Sequence, residues 1–283
     1  MQKDALEKTC YVGGAGAFGV FLRWLQTQVA YNDDGLADAS VFNVLVPLSI
    51  VAAAAVFFFF IRRWKEKKYY LPSAFRKALR NDNLLYAALR WFFGALMVLG
   101  AIVLFASCET DKNAGFYRVL ALLGLLAGAS FPYILGEANQ DEPRTKFVCI
   151  AHVAPMLLFA FWLVTCYKVN SINGIVWAYG VEVVACCFLL LAFFRAAGFA
   201  FSSSDPWRTL FFCMFAPFLA IVCLADERYT GMQLMLLAAA GMLMLYNWIL
   251  IKNLKRKKVD PYAAAAAETG GFEQLYTPKE KDE

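Results

Sequence analysis

Phe42 to Ile61 reads FNVLVPLSIVAAAAVFFFFI, twenty residues without a charge, and RRWKEKK follows at once. A bilayer core about 30 Å thick takes roughly 20 apolar residues in a helix that rises about 1.5 Å per residue. This stretch is therefore predicted to span a membrane, with its basic end kept in the cytoplasm. The orientation of that one helix sets the side on which every other segment lies.

The whole chain agrees in character. Of 283 residues, 61% are hydrophobic and 17% charged, where a soluble domain is nearer 45–50% and about 25%. Further apolar blocks at about 84–107, 117–135, 147–167, 174–197, 210–225 and 231–251 are separated by polar or turn-rich joints: CETDKNAG, GEANQDEPRTK, KVNSIN, FSSSDPWR and DERYT. The expected fold is all-α, a polytopic membrane bundle over 1–252. The basic segment 253–283 is expected to be a disordered cytoplasmic tail.

Residues 12–31 leave two readings open. The segment is long enough to cross but carries Arg23, Gln26, Thr27 and Gln28. Phe18, Phe21, Leu22, Leu25 and Val29 fall near one helical face, with Arg23 and Gln26 turned away. Crossing gives eight spans with both termini cytoplasmic; lying in the interface gives seven. The acidic joint NDDGLADAS that follows suits an external loop.

Orientation of the second helix can be checked against the remaining charges. Of the 27 lysines and arginines, only Lys112, Arg118, Lys168 and Arg228 fall on the outer side. Arg23 and Arg90 lie within the membrane, and all the others face inward, as the positive-inside rule requires. The net charge of +5 is thereby explained by topology, and no nucleic-acid partner is expected. Lys255, Arg256, Lys257 and Lys258 are expected to touch anionic lipid headgroups. The connection 62–83, in which YYLPSAFRKALRND can form a short amphipathic helix on the membrane surface, and the tail 259–283 are the places where a protein partner could dock.

Ionisable groups at depth are few, and they mark where chemistry could occur. Glu182, in IVWAYGVEVVACC, and Arg23 both fall roughly 12 Å below the outer ends of their helices. The two could pair, either as a cation or proton site or gate, or as a structural ion pair between helices. His152, the only histidine, is a candidate proton shuttle or a buried structural side chain. Asn247 is expected to hydrogen-bond between helices. Gly124 and Gly128 form a G-x-x-x-G pattern that lets another helix approach closely. Prolines at 47, 132, 155 and 217 lie within spans and permit kinks. Eight cysteines include no C-x-x-C pair; Cys108, Cys166 and Cys223 lie near outer span ends, where free thiols or a disulfide are both open. No H-E-x-x-H, G-x-S-x-G, phosphate loop or Cys/His metal spacing occurs, so neither an enzyme nor a metal or other cofactor is expected.

The run FLRWLQTQVAYNDDGL resembles the opening of a family of uncharacterised polytopic membrane proteins of anaerobic Firmicutes, which read L-R-x-W-Q-x-x-x-x-F and then a polar loop with T-G-L. Leu22, Arg23, Trp24, Gln26, Tyr31, Gly35 and Leu36 stand roughly in those places, without the loop threonine. The resemblance implies a crossing first helix and a bacterial cytoplasmic membrane, and no activity. From the residues themselves the function expected is a small-solute or ion transporter or channel-like subunit; the alternative is a non-catalytic scaffold that anchors a partner.

Overall fold

A computed structural model describes residues 2–29, 41–67, 69–140, 144–170 and 176–256. The acidic joint, Lys257, Lys258 and the segment 259–283 lie outside the described residues. The described chain is an all-α bundle. Its helices are α1 (Gln2–Val29), α2 (Phe42–Glu66), α3 (Phe75–Leu79), α4 (Leu84–Ser107) and α5 (Ala114–Gly136). These are followed by α6 (Thr145–Asn170), α7 (Val176–Ala200), α8 (Pro206–Val222) and α9 (Thr230–Lys252). Seven of them, α2 and α4 to α9, are long and apolar enough to cross a membrane.

Local chemistry sets several boundaries. Asn83 caps α4 by accepting from Leu85 N at 3.1 Å, and Asp205 caps α8 through Arg208 N with Pro206 at the first turn, both preferred starts. Pro47, Pro132, Pro155 and Pro217 all sit inside continuous helices.

Helices α4 to α9 each pack on the next, and α9 returns to α4 to close a ring. The apolar stretch of α9 is 83% buried and that of α2 only 17%, so α9 belongs to the core and α2 to the periphery. Helix α1 begins ten residues before the expected span, at Gln2, and leans on α8, α2 and α9. Lys8 Nζ lies 5.0 Å over the Trp64 ring at one end of α2. Gln26 Nε2 donates to Asn43 Oδ1 at 2.9 Å at the other end. Lys8 and Gln26 are separated by roughly 27 Å of helix rise. Helix α1 therefore runs antiparallel to α2 over about the thickness of a hydrocarbon core, although it is not among the seven helices that are apolar enough to cross by composition. Phe18 and Phe21 face outward, while Arg23 and Gln26 are buried against the bundle.

In a membrane, helices associate through close packing and not through expulsion of water, so small residues decide where backbones meet. Helices α4 and α5 meet at Gly94 and Gly128. A Cβ on Gly128 would stand 2.7 Å from Val98 Cγ2 and 2.9 Å from the Gly94 carbonyl oxygen. A Cβ on Gly124 would meet Met235 Cε of α9 at 2.7 Å and Ala101 Cβ of α4 at 3.0 Å. Because the obstacle at Gly128 includes backbone, Gly128→Ala is expected to destabilise the protein by about 1–3 kcal/mol, read from its thermal unfolding in detergent.

The two ends of the bundle differ. At the basic end, Ser204 Oγ donates to the Ser73 carbonyl at 2.8 Å, and Asn139 Nδ2 donates to the Asn81 carbonyl at 2.8 Å. Lys65 lies over Trp207. Two features of this end bear on the sequence expectations. Phe75, Ala78 and Leu79 of the short helix α3 are buried in protein, because α9 and the 3-10 turn Glu137–Asn139 take up its apolar face. Order also continues past residue 252. Leu254 is buried, and a strand β2 (Lys255–Arg256) pairs antiparallel with β1 (Tyr69–Tyr70). The opposite end carries a cavity.

Candidate functional site: an ion chain beneath a cavity

Four charged side chains alternate in sign through the buried part of this end. Arg23 Nε donates to Asp226 Oδ1 at 2.7 Å, and Arg228 Nη2 donates to Asp226 Oδ2 at 2.7 Å. The same Arg228 nitrogen stands 3.3 Å from Glu182 Oε2. The other Glu182 oxygen accepts from Trp162 Nε1 at 2.7 Å. Arg23 Nη1 donates in turn to Gln26 Oε1 at 2.6 Å.

All four charged side chains are less than one-tenth exposed. Unpaired charges at such depth would be expensive, and alternation lets each be neutralised by a neighbour. Burial works against the Arg228 charge, yet Glu182 and Asp226 together hold its pKa above the ordinary arginine value. One donor remains over: Arg228 Nη1 is buried without a hydrogen-bond partner.

The elements place these groups for identifiable reasons. Helix α8 ends at Val222, tightens into a 3-10 turn over Cys223–Ala225, and the joint to α9 folds back into the bundle. Gln233 Nε2 fixes that fold by donating to the Asp226 carbonyl at 3.2 Å. Tyr229 ties the joint to the α4–α5 loop by donating to Asp111 Oδ2 at 2.6 Å. Donating that hydrogen bond to a carboxylate, with burial adding to it, pushes the Tyr229 phenol up to about 12. The α4–α5 and α8–α9 joints thus form one polar assembly over the ends of four helices.

A cavity of about 1050 Å³ opens above the chain. Glu182, Arg23, Asp226 and Arg228 lie along its wall, with Trp24, Tyr117 and Tyr179 giving aromatic surface. Below it the bundle is closed by a column of parallel rings. Trp162 stacks on Phe159 at 5.9 Å, Phe159 on Phe193 at 5.8 Å, and Phe193 on Phe131 at 5.8 Å. All four rings are fully buried. The top ring is the one that holds Glu182.

Arg23 and Glu182 thus belong to one constellation, as their similar depths suggested, but they do not pair directly. Asp226 and Arg228 stand between them. Sequence reading assigned those two residues to a solvated external joint, since opposite charges in a polar loop look the same whether wet or buried. Two intramembrane charges of opposite sign at similar depth are the signal that the sequence offers. His152 is elsewhere. It does not line the cavity, and its ring is saturated by the Val148 carbonyl at Nδ1 and Tyr246 Oη at Nε2, both 2.8 Å away. Asn247, expected to bridge helices, is fully buried with neither Oδ1 nor Nδ2 partnered.

All eight cysteines are free thiols, and Cys108, Cys166 and Cys223 are buried. Among the described residues no group of three or more His, Cys, Asp or Glu is placed to hold a metal. Lys255 and Arg256 lie at the opposite end, in β2. Comparison of the chain with known protein families, with curated proteins and with solved structures finds no match.

Proposed function

We propose that this membrane protein handles a small polar solute or ion, as a transporter or channel-like subunit, and that the cavity above the ion chain is where the solute is received. The observation that carries this reading is the cavity of about 1050 Å³ reaching Glu182 inside the bundle. A purely structural ion pair needs no such space. Its lining is polar and aromatic at once, the composition that orients a small ligand. The ion chain sums to no net charge, and Glu227 adds one further acid to the cavity wall. The unpartnered Arg228 Nη1 is a donor available to an acceptor group on that solute. The positive-inside rule supports placing the basic end in the cytoplasm and the cavity outside.

A scaffold that anchors a partner is the second reading. It is favoured by the saturation of Glu182 and Asp226, each with both oxygens already occupied. Flux of protons, cations and small zwitterions into liposomes carrying the full-length protein separates the two. Transport is expected, with Glu182→Gln lowering the rate about tenfold, as loss of one charge-assisted hydrogen bond implies. Equal flux in the variant would remove Glu182 from the mechanism. Absence of flux for every solute would favour the scaffold.

A further inference from the structure

At the basic end, α3, the chain that follows it and the end of α9 enclose a second pocket, of about 470 Å³. Arg76, Lys77, Arg80, Lys252 and Lys255 surround it, and Asp82 is the one acid on its wall. Asp82 is already engaged by Arg80 at 3.4 Å. Like charges gathered this closely repel one another until an anion enters.

This pocket is built, and is more than a basic stretch of surface. Asn139 clamps the backbone of Asn81 from both sides, accepting from its N at 2.9 Å and donating to its carbonyl at 2.8 Å. Asn253 Nδ2 donates to the Ala78 carbonyl at 2.7 Å and to that of Arg80 at 3.2 Å. Lys252 Nζ donates to Asn81 Oδ1 at 2.6 Å, and Asn83 N also donates to that oxygen. Those two donors fix which end of the amide is oxygen, and Asn81 Nδ2 is left buried without an acceptor. Asn81 is 5% exposed and lines the pocket. Five basic side chains against one acid, around a buried amide held in place beside Tyr86, point to an anionic ligand with several oxygens.

We propose that this pocket is a phosphate-binding site, filled in the membrane by the headgroup phosphate of an anionic lipid. Its position supports the lipid as the source. Spanning helix α4 begins at Leu84 and α9 ends at Lys252, so the pocket lies at the level where apolar spans give way to headgroups. Leu84 and Leu85, directly after the pocket loop, are exposed and suited to acyl chains. The site is independent of the solute reading, because it lies at the opposite end of the bundle.

Native mass spectrometry of the full-length protein in detergent, titrated with phosphatidylglycerol, phosphatidylcholine or inorganic phosphate, tests it. Phosphatidylglycerol is expected to bind, and phosphatidylcholine much more weakly. Lys77 and Arg80 are exposed, so Lys77→Gln/Arg80→Gln leaves the fold intact, with thermal unfolding as the check. It is expected to weaken phosphatidylglycerol binding about thirty-fold, the effect of two basic side chains at a headgroup. Lys112→Gln, exposed at the opposite end of the bundle, is expected to bind as the unaltered protein does. Displacement of the lipid by inorganic phosphate would support the phosphate chemistry and widen the source to soluble phosphates. Equal binding of both lipids, or an unchanged affinity in the Lys77/Arg80 variant, would overturn the proposal.

Discussion

Arg228→Met is expected to cost about 3–5 kcal/mol of stability, the usual penalty when one member of a buried ion pair is removed and its partner stays charged. The magnitude follows from the position of Arg228 in the chain. A single nitrogen, Nη2, serves both Asp226 and Glu182, so its loss takes a partner from both carboxylates. Arg23 still neutralises Asp226, but Glu182 keeps only the Trp162 hydrogen bond. Adding Glu182→Gln to Arg228→Met should therefore recover part of the loss, whereas Glu182→Gln alone should destabilise. Denaturant unfolding of the four proteins in detergent forms the double-mutant cycle. Simple additivity would mean that Arg228 and Glu182 are neighbours without being coupled.

Phe193→Ala is the second large effect, again about 3–5 kcal/mol. Phe193 lies between Phe131 and Phe159 at 5.8 Å from each, fully buried. Truncation removes two stacked contacts at once and leaves a void in the middle of the column. Neighbouring rings cannot collapse into it readily, since Trp162 is held from above by Glu182. Thermal unfolding in detergent reads the cost. A loss below about 1 kcal/mol would show that the column repacks. If solute does pass through the bundle, the same variant should also raise passive leak of small solutes into liposomes.

Sequence reading reached the helices far better than the site, and the reason is physical. A span declares itself by composition, because any residue facing lipid or the helical core must be apolar; the run 84–107 coincides with α4. Helix α1 was harder, since Arg23, Gln26 and Gln28 lower its hydropathy while its pairing with α2 and α8 is a tertiary fact. The chain path between spans has no comparable signature. DERYT looks like a wet turn, and only the fold shows that it bends inward to bring Asp226 and Arg228 against Glu182. Leu254 and the pairing of Lys255 with Tyr70 were hidden similarly, because two-residue strands carry no period to detect.

The cavity also redistributes the electrical landscape of the membrane. Where water fills the cavity above Glu182, it carries its high dielectric constant inward, and the membrane voltage would then fall mainly across the remaining protein between there and the basic end. Moving one elementary charge through a full 100 mV is worth about 2.3 kcal/mol. A charge resting beside Glu182 has still to traverse most of that drop, over a shorter distance and through a steeper local field. The aromatic column therefore acts as the insulator of the bundle, and Glu182 sits at the plate of a thin capacitor.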